Sequence, residues 1–369
     1  MSKKSVLVIH HNGGGGVDHF LNDWKQTCSY NIYELHANQH ELYMKNPEET
    51  KAKKVNYKEL SALVEMYNIT ELHIHHLWNV QLTELNLFLI NSNIKYHVWL
   101  HDFYSICPFV FFVTQKGKYC GMPKNVAVCN QCAAKGAKHV QMKHMVGSPT
   151  PSIEDWRGMF ESILKGATQI IAPSVSTRDI FLEYYPDITI NVVPHKLTLQ
   201  CTPTLPTQKS NRLKIAIIGD LFYHKGENEL VTLINQSINK HLHCDFVLFG
   251  KAGRALSQLK VANFSYKGPY PSPESLDILL RTEEIDIVLI PSICPETFSY
   301  TTHEALALGY PVLCFDLGAQ AEAVRTSGCG WVVPLAIRNA LFHKVVELSR
   351  EPDQVQRMKI KAYERQIKL

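Results

Sequence analysis

Short β-branched runs alternate with amphipathic helical stretches along almost the whole chain, and this alternation limits the fold more than any other feature. Strand-like runs lie at residues 6–10, 31–35, 72–76, 96–101, 169–172 and 188–193, with helix candidates at 17–24, 57–67, 81–90, 153–165 and 176–184. A second series follows, with strands at 213–219, 245–250, 263–268, 285–291 and 311–315 and helices at 227–238, 273–282 and 300–308. Strands separated by helices pair in parallel through right-handed crossovers. The polar, proline-containing stretch 198–212 reads as a linker between the series. The expected fold class is α/β: two Rossmann-like, doubly wound parallel-sheet domains facing a cleft, with ligands at the carboxyl ends of the strands. The N-terminal domain is placed at 1–200, with a cysteine-containing insertion of little periodicity at 102–147. The C-terminal domain is placed at 213–350 and a C-terminal helix at 351–369.

The 369 residues suffice for two domains of ordinary size. A formal net charge of +4 is too mild to imply nucleic acid, though it suits an anionic substrate or membrane surface. No apolar run approaches the roughly 20 residues of a membrane span. The apolar start, residues 6–9, is short for a secretion signal and reads as a first strand. A cytoplasmic setting follows as an expectation, with the ten cysteines as reduced thiols or metal ligands.

The segment from Pro291 to Pro311 carries the strongest chemical signal. A buried strand ends at Pro291, a loop holds Glu296, and a helix begins near Ser299, contains Glu304 and stops at Gly309. The helix N-terminus, with N–H groups from Phe298 through Ser299 and Tyr300 to Thr301, suits a pyrophosphate. Glu304 lies roughly 6 Å further along the axis, at about 1.5 Å per residue. One carboxylate thus falls on each side of the terminus, and a carboxylate accepts two strong hydrogen bonds from a diol. Upstream, a strand ends at Gly219 and Lys225-Gly226 opens the next helix.

These residues resemble the signature of retaining GT-B glycosyltransferases, notably glycosyltransferase family 4 (group 1). Glu296 and Glu304 match its E-x7-E pair, followed downstream by Gly328-Cys329-Gly330-Trp331. The resemblance implies that Glu296 contacts the donor sugar, Glu304 the ribose, and Lys225 and the helix backbone the donor diphosphate. An arginine expected beside Gly219 is replaced by Asp220. The resemblance also implies a retaining transfer without a catalytic metal or other catalytic cofactor. The stretch from His101 to Pro108, with Gly117 to Gly121, further resembles transferases of bacterial surface-polysaccharide (O-antigen or capsule) assembly. The implied acceptor is a glycan or lipid-linked saccharide. Peripheral association with the inner membrane or with other assembly enzymes goes with that role.

The first half adds three features. Asn12-Gly13-Gly14-Gly15-Gly16-Val17-Asp18 follows the first strand, and Gly15 and Gly16 would let backbone approach the donor. His101 ends a strand, and the resemblance places it near the donor sugar; His76 is a weaker candidate on the acceptor side. Glu296, His101 and Lys225 are the expected catalytic residues. Cys107, Cys120, Cys129 and Cys132 form a candidate structural zinc site, because four thiolates can close a tetrahedral shell.

Three other functions stay open. An NAD-dependent oxidoreductase could use the glycine loop and Glu34, although Asp18 occupies the third glycine position of the dinucleotide fingerprint. A nucleotide-sugar epimerase could share the fold. A non-catalytic subunit could retain the fold without the chemistry.

Overall fold

The computed structural model describes residues 3–11, 13–135, 152–197, 199 and 211–368. Asn12, residues 136–147 of the expected insertion and nearly all of the expected linker lie outside them. The chain divides into two compact units, Met1–His195 and Lys196–Leu369. No described helix is long and apolar enough to cross a membrane.

The first unit runs β1 (Ser5–Ile9), α1 (Gly16–Thr27), β2 (Asn31–Asn38), β3 (Glu41–Lys45), β4 (Lys53–Val55), α2 (Tyr57–Met66), β5 (Ile69–Ile74), α3 (Leu82–Ser92), β6 (Lys95–Trp99), α4 (Val126–Lys135), α5 (Ile153–Gly166), β7 (Gln169–Ala172), α6 (Val175–Tyr184) and β8 (Ile190–Val192). Its eight-stranded sheet has the order β4-β3-β2-β1-β5-β6-β7-β8. The strands from β2 to β8 are parallel, whereas β3 and β4 add an antiparallel edge. That edge departs from the sequence expectation. Gln39 and His40 make the β2–β3 turn at φ 49° and 66°, a conformation that asparagine and glycine usually announce. The expected insertion is also more regular than its composition implied, holding α4 and a bridge between Val113 and Tyr119.

Side-chain alternation decides what each face of this sheet carries. Val6 and Val8 of β1 meet Val17 and Leu21 of α1, while Leu7 and Ile9 join the larger core beneath Leu60, Leu85, Trp156 and Phe160. The same parity turns His73, Trp99 and His101 toward the α1 face, where Phe20 and Trp24 lie against them. An amphipathic helix therefore covers a largely aromatic and imidazole surface.

The second unit runs β9 (Leu213–Ile218), α7 (Glu227–Asn239), β10 (Cys244–Phe249), α8 (Arg254–Ser257), β11 (Phe264–Gly268), α9 (Pro273–Thr282), β12 (Ile287–Ile290), α10 (Tyr300–Ala307), β13 (Val312–Phe315), α11 (Gly318–Ser327), β14 (Gly330–Val333), α12 (Ala340–Arg350) and α13 (Pro352–Gln366). Its six strands, in the order β11-β10-β9-β12-β13-β14, are all parallel. Their continuous apolar runs suit burial on both faces. Helix α13 is tied to the unit by a buried ion pair, Lys359 Nζ to Asp286 Oδ1 at 2.8 Å. The other Asp286 oxygen accepts the Lys214 N–H at 2.9 Å.

Candidate functional site

In the second unit, the loop between β12 and α10 is held from α11. Gln320 Oε1 accepts the Glu296 N–H at 3.0 Å, and its Nε2 donates to the Cys294 carbonyl at 2.9 Å. The Glu296 carbonyl accepts the Ala319 N–H at 2.9 Å. Gly318 has φ 50°, and a Cβ there would stand 2.6 Å from the Glu296 nitrogen. Only glycine lets α11 start this close to the loop. Glu296 is thereby placed with its Oε1 2.9 Å from Lys225 Nζ. Burial alone would lower the Lys225 pKa, but the Glu296 carboxylate and weaker neighbouring charges outweigh it, and the net direction is up.

The other expected donor residues of this unit lie on α10, just before it or against its first turn. A Cβ on Gly219 would lie 2.7 Å from the Thr301 methyl, so the end of β9 closes against the first turn of α10. Ser299 sits in the left-handed region at φ 64° and gives α10 no side-chain cap. Its hydroxyl pairs instead with that of Thr302 at 2.7 Å. Phe298 stacks on His303 with ring centroids 4.1 Å apart and meets Tyr300 edge-on. Glu304 is buried, and its Oε2 accepts the Tyr270 hydroxyl at 3.3 Å. Asp220, where a cation was expected, accepts the Lys251 N–H at 3.1 Å and lies 3.2 Å from Lys251 Nζ. Sequence reasoning missed Gln320, Tyr270 and Lys251. Each comes from a different element, and none carries a local motif.

In the first unit, Gly15 is the N-cap of α1 at φ 87°, and Gly16 is its first residue. His101 Nε2 lies 2.8 Å from His75 Nδ1. His76 points to the opposite face, with Nε2 2.8 Å from Asp102 Oδ2 and Nδ1 accepting the Trp78 N–H at 2.9 Å. Burial pushes the Asp102 pKa up, but His76 and the Tyr104 N–H more than reverse this, leaving it below its ordinary value. His75, His76, Trp99, His101, Asp102 and Tyr104 help to line a cavity of about 40 Å³, large enough for a water or a hydroxyl group. Glu34 is engaged elsewhere, 2.9 Å from His10 Nε2 and 2.8 Å from Lys25 Nζ.

The four insertion cysteines, two on α4 and two from the loop before it, are near enough to influence one another's ionisation. Burial raises the Cys107 thiol to about 12 and the Cys120 thiol to about 11, and the neighbouring cysteines add to both shifts. Arg157 Nη2 stands 3.6 Å from Cys129 Sγ. The donor set suits zinc, but the spacing is wide. Zinc–sulfur bonds of about 2.3 Å put tetrahedral sulfurs about 3.8 Å apart. Among the described residues, only Glu71, His73 and His97 bring three metal-ligating atoms within 4.8 Å of one another. Within that trio the charge sits on Glu71, beside two histidines that burial holds below their ordinary pKa. Trp99 Nε1–H donates to His73 Nδ1 at 3.3 Å, which leaves the neutral ring's proton on Nε2. His73 Nε2 therefore faces Glu71 Oε2, 3.9 Å away, as a donor and not as a lone pair. Lys4 pairs with the other Glu71 oxygen.

Residues 203–365, within the second unit, match the family described as Glycosyl transferases group 1. Solved structures extend the likeness over both units. A glycosyltransferase from Rickettsia africae is 16% identical with a TM-score of 0.63, covering 100% of this chain and 94% of that one. Sucrose-phosphate synthase from Thermosynechococcus elongatus is 12% identical with a TM-score of 0.62, covering 100% and 95%. HepE from Anabaena, solved with UDP-glucose, is 13% identical with a TM-score of 0.58, covering 98% and 93%. These likenesses establish the GT-B fold. No curated protein matches the chain.

Proposed function

We propose that the protein transfers a sugar, with retention, from a nucleoside-diphosphate sugar to a glycan or lipid-linked acceptor in polysaccharide assembly. The observation that carries this reading is the Lys225–Glu296 pair beside the uncapped start of α10, with Glu304 on the same helix. Lys225 and the helix terminus would stabilise the diphosphate as it leaves, where charge develops. Glu296 and Glu304 would accept hydrogen bonds from the sugar and ribose hydroxyls. Gly15, Gly16 and His101 would be the first unit's contribution on the donor side. HepE, solved with UDP and with UDP-glucose, makes a uridine donor the first to test. Turnover of UDP-glucose or UDP-N-acetylglucosamine, with release of UDP and an α-linked product, would support the reading. Failure of every nucleoside diphosphate to bind would overturn it, and sugar interconversion without transfer would favour an epimerase.

For the insertion we propose a structural zinc that would draw Cys107, Cys120, Cys129 and Cys132 inward. With no open coordination position, such an ion would take no part in transfer. Elemental analysis giving about one zinc per chain would support it. Four titratable thiols without metal would overturn it.

A further inference from the structure

His75 and His101 close neighbouring parallel strands on the α1 face of the first sheet, and their rings lie nearly parallel with centroids 5.1 Å apart. The contact between His75 Nδ1 and His101 Nε2 is 2.8 Å. Trp99 stacks on His75 at 5.4 Å, and Phe20 of α1 lies against both imidazoles. His75 is 3% exposed. Burial, then the neighbouring histidines, push both rings well below their ordinary pKa, so both are neutral near pH 7.

Between two neutral imidazoles a 2.8 Å contact holds one proton: one ring donates and the other accepts. The two tautomers are therefore linked. If His101 Nε2–H donates, His101 Nδ1 bears a lone pair; if His75 Nδ1–H donates, His101 Nδ1 bears the proton. The remaining nitrogen of His75, Nε2, is buried and has no hydrogen-bond partner among the described residues. Burying that group costs desolvation with no return. An aliphatic residue would fill the same place without the cost, so packing does not account for histidine here. What His75 supplies is the bond to His101.

We propose that His75 is a positioning residue for His101, holding the ring at Nε2 and setting the tautomer that His101 presents at Nδ1. This rests on the reading that His101 serves the donor sugar. In that role a neutral, oriented imidazole would exchange a hydrogen bond at Nδ1, an atom buried in the structure, with a sugar hydroxyl that enters beside it, and a wrong tautomer would offer a donor where an acceptor is needed, or the reverse.

The test compares His75→Leu with His75→Asn, whose side-chain amide falls near the position of Nδ1. Transfer should lose roughly 10–100-fold in kcat in His75→Leu, the scale on which partners that orient metal-bound histidines matter, with donor KM changed less than about threefold. His75→Asn should recover most of the loss. A wild-type kcat in folded His75→Leu, or His75→Asn as impaired as His75→Leu, would overturn the proposal. His101→Ala with undiminished kcat/KM would instead remove the reading beneath it. Should His75→Leu not fold, the 15N-histidine-labelled wild type decides. A slowly exchanging imidazole proton that His101→Ala removes is expected, and its absence in wild type refutes the bond.

Discussion

Lys225 Nζ lies 2.9 Å from Glu296 Oε1, so the cation expected to meet the donor diphosphate is held by the carboxylate expected to meet the donor sugar. The pair does two things before any substrate arrives. It offsets the burial of each charge, and it holds the lysine at the loop that carries Glu296.

Removing the lysine should affect turnover more than binding. If Lys225 acts as one charge-stabilising donor on the departing diphosphate, Lys225→Ala should lose about 2–4 kcal/mol of transition-state stabilisation, or roughly 30- to 900-fold in kcat. Lys225→Arg should retain part of it. Steady-state kinetics with a fixed acceptor, alongside calorimetric binding of UDP, separate the two effects. Lost UDP affinity with kcat unchanged in Lys225→Ala would point to simple ground-state binding.

Glu304 is expected to act on the nucleotide. Its carboxylate is buried and already receives the Tyr270 hydroxyl, so a ribose diol would add to a site that is held in place. Glu304→Ala should weaken nucleoside-diphosphate affinity by about 10-fold or more, the scale of a lost hydrogen bond to a charged group. Circular dichroism should be unchanged. Unaltered affinity for UDP, GDP and dTDP alike would dismiss the assignment.

The geometry of the Glu296 loop makes a backbone prediction. Gly318→Ala brings a methyl to 2.6 Å from the Glu296 nitrogen at a φ of 50°, so the loop must move. Tm should fall, and kcat should fall further than the stability loss explains. Gln320→Leu should do the same by leaving the Glu296 N–H and the Cys294 carbonyl unpaired inside the unit. Assay well below each variant's Tm distinguishes misplacement from unfolding.

What could be read from the chain and what could not divide along physical lines. The strands with continuous apolar runs, such as Ile287–Ile290 and Leu213–Ile218, declare themselves because both of their faces are buried. The Glu296–Glu304 segment was legible because strand, loop and helix start are consecutive. The β2–β3 hairpin was not, since its turn uses Gln39 and His40 at positive φ. Nor could spacing show that His73 and His75 face α1 while His76 turns away to Asp102, because parity says nothing about which face a helix covers. The Gln320, Tyr270 and Lys251 contacts join segments 24 to 34 residues apart, and only the packed sheet brings them together.

The buried imidazoles should make the first unit labile to acid. Burial first, then neighbouring histidines, hold His11 and His73 at about 4, against 6.5 when exposed. A histidine depressed in the folded state binds its proton more readily unfolded. Its contribution to stability is therefore full above pH 6.5 and is lost as pH falls toward 4. Glu34, lowered to about 2 chiefly by its bond to His10, adds a loss between pH 4.5 and 2. Tm should drop by more than about 5 °C between pH 7 and 4.5, at a few degrees per kcal/mol. A flat Tm over that range would contradict the burial of these rings.

Transfer should survive chelation, and Asp220 makes the expectation sharp. A divalent cation on the donor diphosphate needs oxygen ligands from the protein. The acids near the site are already engaged: Glu296 with Lys225, Glu304 with Tyr270, and Asp220 with both the N–H and Nζ of Lys251. The Asp220–Lys251 pair is exposed, with side chains 44% and 66% accessible, so it is weak and salt-screened. An incoming diphosphate would compete with Asp220 for Lys251 and be repelled by the carboxylate. Asp220→Asn should then tighten UDP binding by a few-fold at low ionic strength, with the gain fading as salt rises. If Asp220 were instead a metal ligand, the same substitution would cost affinity and activity, and EDTA would abolish transfer until Mg²⁺ or Mn²⁺ was restored. Turnover of wild type and Asp220→Asn, each with and without chelator, separates the two accounts. Loss of activity in EDTA with recovery on Mg²⁺ or Mn²⁺ would show that Lys225 and the α10 terminus do not carry the leaving charge unaided.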